Sequence, residues 1–501
     1  MPDHAGCSRR DVFKLAAAVG IGGGAAGLLA DTPPADVAKP GAAPRNIILM
    51  VSDGMSLGVP SLAEAFSHAA RQRGTAWARL LTTPGVVHGL FDTSSLNSLV
   101  TDSAAASSAW GSGSRVFNGA LNVLPDGTRL TPIGVLTRDS GRRVGLVTTT
   151  RITHATPAGF AAVQPSRDDE NDIAPQYVRF VDVLLGGGRK HFAPGERNDG
   201  RDVLREYADA GFTVWTHRSE VSSGPRPDRV LGLFDSGHLP YVIDVRNTPE
   251  LTERIPTLAE LSAAAIDILA RSERGYLLQI EGGRVDHAAH ANDAAALLWE
   301  QLSFDDALDT VLRLVSERDD TLLIVTSDHG NSNPGLNGMG DDYRDSPRCL
   351  ERVVGARASF AACEKRLGGR PSRELVADVL RASTGVELSS TEIDAVHAAL
   401  TGADRRAVLN RQQSGWAGVL GQALSNHFGI GWTGTTHTQD WVLVSAIGPG
   451  AQRFAGLRHH VAWFAEVAGL WGIRHQNPEM SAEEAARFAG RVPGVAAAHW
   501  A

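Results

Sequence analysis

The sequence predicts an α/β protein, a three-layer α/β/α sandwich around a large, mostly parallel central sheet. Three observations predict it. Short apolar runs recur at Arg45–Gly54, Arg143–Thr150, Gly275–Gly283 and Thr321–Gly330, each reading as a strand buried on both faces. Most of these runs close on a carboxylate, hydroxyl or imidazole, as strands do when their carboxyl ends line a ligand crevice. Helix-periodic segments lie between them, the alternation that packs helices on both faces of a parallel sheet.

The chain has 501 residues, 43% hydrophobic and 21% charged, enough for one large domain with insertions or for two or three domains. The formal net charge of −8 comes with no basic stripe, which argues against nucleic-acid binding. No stretch resembles a membrane span of the mature protein.

The amino terminus differs in character from the rest. Ser8-Arg9-Arg10 precedes a Gly/Ala-rich apolar run, Leu15–Ala30, of 16 residues, too short and too weakly apolar to span a bilayer. A twin-arginine pair before such a run looks like a bacterial twin-arginine signal peptide over residues 1–30, with cleavage near Ala30 and a periplasmic or secreted product. Residues 31–44 read as a flexible Pro/Ala tether. The folded domain is then expected over 45–501.

Taken in order, the first strand ends in Asp53-Gly54. A helix is expected at about Ser61–Arg73. Val100–Gly113 reads as a strand end running into a helix of small residues. Thr101 or Asp102 caps that helix, and Ser103 falls in its first turn, where N–H groups and the helix dipole favour negative charge. A serine placed there is able to attack a phosphoryl group, although such a stretch taken alone is more often an ordinary capped Ala-rich helix. His154 and Thr156 follow the strand Arg143–Thr150. Arg167 lies in a polar segment where an arginine is usually a solvated charge. Leu184–Phe192 is a Gly-rich turn without nucleotide-binding spacing. Short strands are expected at Phe212–Trp215 and Val230–Leu233, and a helix at Thr257–Ala270.

Glu281 ends the next strand. Asp286 and His290 stand four apart, on one face of a helical turn as a shared metal requires, with His287 beside them. A long helix pair is expected to about Glu317. Asp328 and His329 end the fourth strand. From Asp341 to about Ser425 strand signals vanish, and residues 341–425 read as a helical insertion, with two helices over Ser372–Leu400 broken near Gly385. Gly431–Asp440 supplies His437, Trp441–Gly448 is a strand, and helices at about His460–Ile473 and Ser481–Arg491 finish the chain. Asp53, Glu281, Asp286, His290, Asp328, His329 and His437 make a mixed imidazole and carboxylate set suited to zinc, with a carboxylate-rich pocket suiting magnesium. Any one of them alone is more often structural; their repeated placement at strand ends is the signal.

Asp53-Gly54, Thr101-Asp102-Ser103-Ala104, His154-Ala155-Thr156-Pro157, Glu281–His287, Thr326–His329 and His437-Thr438 together resemble the alkaline phosphatases, in the same order. The likeness covers roughly residues 44–335 and 431–470. It implies exported hydrolysis of small-molecule phosphate monoesters through a phosphoserine intermediate, with two Zn2+ ions and one Mg2+. One zinc is implied on Asp286, His290 and His437, a second on Asp53, Asp328 and His329 beside the nucleophile Ser103, and magnesium on Asp53, Thr156 and Glu281. Arg167 is implied to grip phosphate, oriented by Asp102. His154 and His287 match the family's mammalian-type pattern at substrate-facing positions, where many bacterial members carry Asp and Lys. The insertion sits where the family's variable crown-type insertion occurs, without a sequence match to it. A homodimer is the expected assembly.

The rivals are a phosphodiesterase, nucleotide pyrophosphatase or sulfatase of the same superfamily, and a non-catalytic metal- or phosphate-binding protein. Asp102-Ser103, Arg167, Thr156 and Glu281 favour the monoesterase. No Cys/Ser-x-Pro-x-Arg motif stands at the nucleophile, as a sulfatase would need. Of three cysteines, Cys7 leaves with the signal. Cys349 and Cys363 are able to pair in an oxidising compartment if a turn near Gly355 brings them together, because on one continuous helix they would lie about 21 Å apart.

Overall fold

The computed structural model describes residues 43–224, 226–316, 318–402 and 410–488. The expected signal peptide, almost all of the expected tether and the end of the last expected helix lie outside the described residues. The central sheet has ten strands: β1 (Asn46–Ser52), β2 (Val87–Asp92), β3 (Arg143–Arg151), β4 (Val183–Gly187), β5 (Thr213–Trp215), β6 (Val230–Leu233), β7 (Tyr276–Gly282), β8 (Thr321–Thr326), β13 (Val442–Ile447) and β14 (Gly456–His459). Two ribbons, β9 (Gly330–Asn331) with β12 (His437–Thr438) and β10 (Gly335–Leu336) with β11 (Ile430–Gly431), lie outside it.

The order across the sheet is β14-β2-β13-β8-β1-β7-β3-β4-β6-β5. Every neighbouring pair is parallel except those made by β13, which runs antiparallel to both β2 and β8. The pleat explains the layers. In β1, Ile48 and Met50 join one apolar core while Ile47, Leu49 and Val51 join the other, and all five are fully buried. At roughly 1.5–3 kcal/mol for each buried aliphatic side chain, this strand alone contributes on the order of 10 kcal/mol before chain entropy is counted. Helices Val59–Arg71, Leu258–Leu269 and Ala294–Val315 cover the first face; Ser103–Ser112, Ala155–Ala161 and Val461–Leu470 cover the second.

The fold class is therefore the one the sequence predicts, with corrections in detail. A single helix of 22 residues, Ala294–Val315, replaces the expected pair. Of the run Leu184–Phe192 read as a Gly-rich turn, Leu184–Gly187 belong to strand β4, with Gly186 and Gly187 buried in the sheet, and the turn begins only at Gly188. β2 and β14 give no apolar run to read, since β2 is only half buried and β14 closes the sheet edge. Among the described residues, the region from Ser346 to Phe428 holds five α-helices, including Arg373–Thr384 and Ser390–Thr401 with Gly385 between them. A turn does separate Ser346–Val353 from Phe360–Leu367, yet Cys349 and Cys363 are both free and buried in this structure rather than bridged. Each thiol is packed into a helix interface, and burial pushes that of Cys363 up to about 11.

The helix Ser103–Ser112 lies against Ala155–Ala161 with almost nothing between the backbones. A Cβ on Gly111 would overlap the carbonyl of Gly159, and a Cβ on Gly159 would overlap Ser107. Glycine at both positions is what permits the approach.

Candidate active site

Register places the site. Val51 of β1 pairs with Glu281 of β7 on one side and with Thr326 of β8 on the other, so Asp53, Glu281 and Asp328 reach the same edge side by side. Thr148 of β3 pairs with Glu281 and brings His154 and Thr156 to that edge as well. His437 arrives by a different route. Because β13 is antiparallel, its amino end lies where the other strands finish, and the residues just before it reach the site. The β9–β12 ribbon pairs His437 with Asn331 and stacks its ring on His329, centroids 3.7 Å apart.

Three groups of ligand atoms result, each within 4.8 Å of one another: Asp286, His290 and His437; Asp53, Asp328 and His329; Asp53, Glu281 and His154. In the first, Nδ1 of His290 donates to the carbonyl of Thr435 at 2.7 Å and Nδ1 of His437 to that of Thr101 at 2.8 Å. Both Nε2 lone pairs then face inward, 3.0 Å apart and 3.4–3.5 Å from the Asp286 oxygens. Facing lone pairs repel, and a cation between them removes the repulsion. In the second group, Oδ1 of Asp328 accepts the N–H groups of Gly54 and His329 at 3.0 Å each, leaving Oδ2 directed at Nε2 of His329, 3.2 Å away. Oδ2 of Asp328 and Oδ1 of Asp53 are buried without a hydrogen bond. Gly54, at φ +66°, makes this packing possible, since a Cβ there would strike Asp286.

The third group holds Thr156 Oγ1 at 3.5 Å from Oδ2 of Asp53, while Oε2 of Glu281 accepts from Thr148 at 2.6 Å and Oε1 has no partner. The guanidinium of Arg167 can only donate, so its 3.0 Å contact with Nε2 of His154 leaves the imidazole proton on Nδ1, facing Asp53 and Glu281. In that tautomer Nδ1–H of His154 is buried without a hydrogen-bond partner, so the ring offers the Asp53 and Glu281 group an N–H rather than a lone pair. This is a placement the sequence reading did not assign to it.

Electrostatics agree with a cationic occupant. Asp53, Glu281 and Asp328 are fully buried and Asp286 nearly so. Burial, reinforced by the neighbouring carboxylates, pushes Asp53 well above its ordinary value; burial raises Glu281 to about 7 and Asp328 to about 6. Burial opposes the charge of Asp286 too, but the imidazoles of His290, His437 and His329 hold it well below the carboxylate range. Four carboxylates in one dry space are costly without compensating positive charge, and imidazole with carboxylate is a donor set for divalent metals.

Ser103 and Arg167 complete the arrangement. Asp102, not Thr101, caps the helix through Oδ1 to the N–H of Ala105 at 2.9 Å. Its Oδ2 pairs with Arg167 at 3.1 Å and accepts the N–H of Gly119 at 3.0 Å. Oγ of Ser103, 1% exposed, lies 3.1 Å from Nε2 of His329. His287 accepts from Arg284 at 2.9 Å and packs edge-on to His154 at 5.5 Å. All of the expected site residues thus converge on one edge.

Others converge that the sequence reading missed. Asn331 donates to Oδ1 of Asp286 at 2.7 Å and follows Asp328-His329 too closely to be chance, a signal that was there to read. Thr148 and Thr150, a polar end to a buried strand, were equally legible. His238 packs edge-on to His287 with centroids 4.5 Å apart, and nothing in its loop announces it.

A buried serine at a helix start, a half-buried arginine paired with Asp102 and three metal-suited groups lie together on the carboxyl edge of a parallel sheet, an arrangement suited to metal-dependent hydrolysis. The family model for alkaline phosphatase matches residues 44–469. Alkaline phosphatase 4 of Bacillus subtilis is 30% identical over 429 residues, 82% of this chain and 86% of that protein. The crystal structure of Thermus thermophilus alkaline phosphatase superposes with a TM-score of 0.85 at 37% identity, covering 90% of this chain and 96% of that one. A cold-active alkaline phosphatase from Shewanella gives a TM-score of 0.68 at 27% identity, covering 86% and 100%. The chain belongs to the alkaline phosphatase family. It is a phosphoric monoester hydrolase of a metal-dependent kind.

Proposed function

We propose that this chain hydrolyses phosphate monoesters in two displacements at Ser103, with zinc on Asp286, His290 and His437, a second zinc on Asp53, Asp328 and His329, and magnesium held by Asp53, Thr156 and Glu281. When bound, such ions lower the pKa of oxygens beside them and neutralise developing charge. The protein's part follows from its own residues. Arg167, fixed by Asp102, grips two oxygens of the phosphoryl group side by side. Oγ of Ser103 attacks phosphorus; the Oγ–P bond forms, the ester O–P bond breaks, and the alcohol leaves with a proton. Water then attacks the phosphoserine, the Oγ–P bond breaks, and Ser103 regains its proton. Throughout, the first-turn N–H groups and the dipole of the Ser103 helix favour the negative charge. Nδ1–H of His154 and the side chain of His287 order the remaining oxygens.

The observation that carries this reading is Oγ of Ser103 at 3.1 Å from His329 of the Asp53–Asp328–His329 group, next in the chain to Asp102, which pairs with Arg167. The test is turnover of an aryl phosphate monoester and of its diester, with acid trapping of the phosphoenzyme. Phosphate on Ser103 and preference for the monoester are expected; a preference for the diester would favour the phosphodiesterase, and no turnover at all a binding protein.

Export by the twin-arginine route to the periplasm or medium belongs to the same proposal. It rests on Arg9-Arg10 and the apolar run after it, and among the described residues no helix is long and apolar enough to cross a membrane. Replacing both arginines by lysine should hold the precursor inside the cell. A homodimer is proposed as the working assembly, to be checked by mass in solution.

A further inference from the structure

Residues from the helical region after Asp341 reach into the same cavity as the site. That cavity measures about 890 Å3 and is lined on one part by Asp102, His154 and Arg167, on another by Phe360, Glu364 and Trp416. Cavities of roughly 300–1,000 Å3 hold ligands far larger than a phosphoryl group. The space beyond the phosphate is therefore built for whatever the phosphate is attached to.

Its wall is aromatic and fixed. The rings of Phe360 and Trp416 lie 6.0 Å apart at 42°. Phe360 is buried, while Trp416 is half exposed and lines the cavity. Nε1 of Trp416 donates to Oε1 of Glu364 at 3.2 Å, which holds the indole by its edge. The wall is tied to the sheet on two sides. The N–H of Phe360 donates to Asp293 at 2.7 Å, the same carboxylate that caps the helix Ala294–Val315 through Ala296. Thr435 donates to the carbonyl of Gln412 at 2.7 Å and accepts from His290 through its own carbonyl, also at 2.7 Å. The wall and the ligand His290 therefore share a hydrogen-bonded link.

We propose that Trp416, backed by Phe360 and edged by Glu364, is a leaving-group subsite for a nucleoside, which makes nucleoside monophosphates a preferred substrate class. The inference rests on the monoesterase reading above. A nucleobase is planar and stacks on an indole whatever its sequence identity. It also carries N–H groups in its plane, and the Glu364 carboxylate, which lines the same cavity and gives the indole only Oε1, has a second oxygen able to accept one. A short alkyl phosphate engages Arg167 and Ser103 equally well and leaves the wall unused.

The test compares adenosine monophosphate with glycerol 2-phosphate on the metal-loaded full-length enzyme. Trp416→Ala is expected to lower kcat/KM for adenosine monophosphate about 10- to 100-fold, chiefly through KM. Glycerol 2-phosphate should change by less than about twofold, which also shows that the variant is folded. Trp416→Phe should keep most of the nucleotide preference. Adenosine itself should inhibit the wild type competitively and the alanine variant poorly. Equal losses on both substrates, or an unchanged nucleotide rate, would overturn the subsite while leaving monoester hydrolysis intact. A wild type that cleaves neither monoester would instead overturn the reading on which the subsite stands.

Discussion

Oγ of Ser103 and Nε2 of His329 are 3.1 Å apart, though the residues are separated by 226 positions. Nδ1 of His329 faces the carbonyl of Gly330 at 3.3 Å, so Nε2 offers its lone pair and the serine hydroxyl donates to it. Burial lowers His329 to about 4, which keeps the ring neutral and the lone pair available near neutral pH.

Ser103→Ala removes the nucleophile and none of the carboxylate or imidazole ligands. Activity on an aryl monoester should fall by at least about a thousandfold. Metal content by mass spectrometry should stay at the wild-type level. Near-normal turnover would exclude Ser103 as the attacking group.

Arg167→Ala separates monoesters from diesters. A monoester dianion offers enough free oxygens for a bidentate guanidinium; a diester has one of them capped. Each charge-assisted bond is worth about 1.5–3 kcal/mol, so monoester kcat/KM should drop by about one to three orders of magnitude and diester kcat/KM much less. Asp102→Ala should give a milder version, because it releases Arg167 without removing it. Equal losses on the two substrates would show that Arg167 does not read the dianion.

Thr148→Val tests the third group without touching a ligand. It deletes the 2.6 Å bond that aims Glu281. Loss of such a supporting bond typically costs about 10- to 100-fold in metal affinity. Equilibrium dialysis against magnesium should show that weakening, with zinc retained; unchanged magnesium affinity would place Glu281 outside a metal site.

Glu300, which belongs to none of the three ligand groups, gives a pH signature of its own. It is 2% exposed, accepts the N–H of Val242 at 2.7 Å, and is raised by burial to about 7. A raised carboxyl is neutral in the folded chain where the unfolded chain has already ionised. Its contribution is fully present below about pH 4.5 and is lost as pH rises through about 7, by about 3 kcal/mol in all. Glu300→Gln keeps the acceptor and removes the titration. The melting temperatures of variant and wild type should coincide near pH 4.5 and diverge in the variant's favour by pH 8.5. A constant difference across that range would mean that Glu300 stays ionised in the fold.

Much of this was legible because strand burial and strand-end chemistry are local. Asp53, Glu281, Asp328 and His329 each close an apolar run, and parallel neighbours bring such ends together without further information. His437 was not legible in that way. Its arrival depends on β13 running against its neighbours, and strand direction leaves no mark on an apolar run. The family resemblance supplied it instead. Phe360, Glu364 and Trp416 were hidden for another reason: helix periodicity says which face is buried, not which cavity the remaining face overlooks. β2 escaped because its alternation is blurred by the strands on either side, β14 because an edge strand needs few apolar residues.

The contact of Gly111 with Gly159 sets how the site ages under heat. Ser103 begins one of those helices and His154 precedes the other, and their separation is gauged by peptide planes in direct touch. The side chain of Ser107 in this seam is pinned to the carbonyl of Ala155 at 2.9 Å, so the pair has no soft direction in which to drift. Warming can loosen the outer wall long before it slackens this pair. Turnover of a small alkyl phosphate should accordingly persist up to the temperature at which the two helices part, and fail with the fold rather than ahead of it.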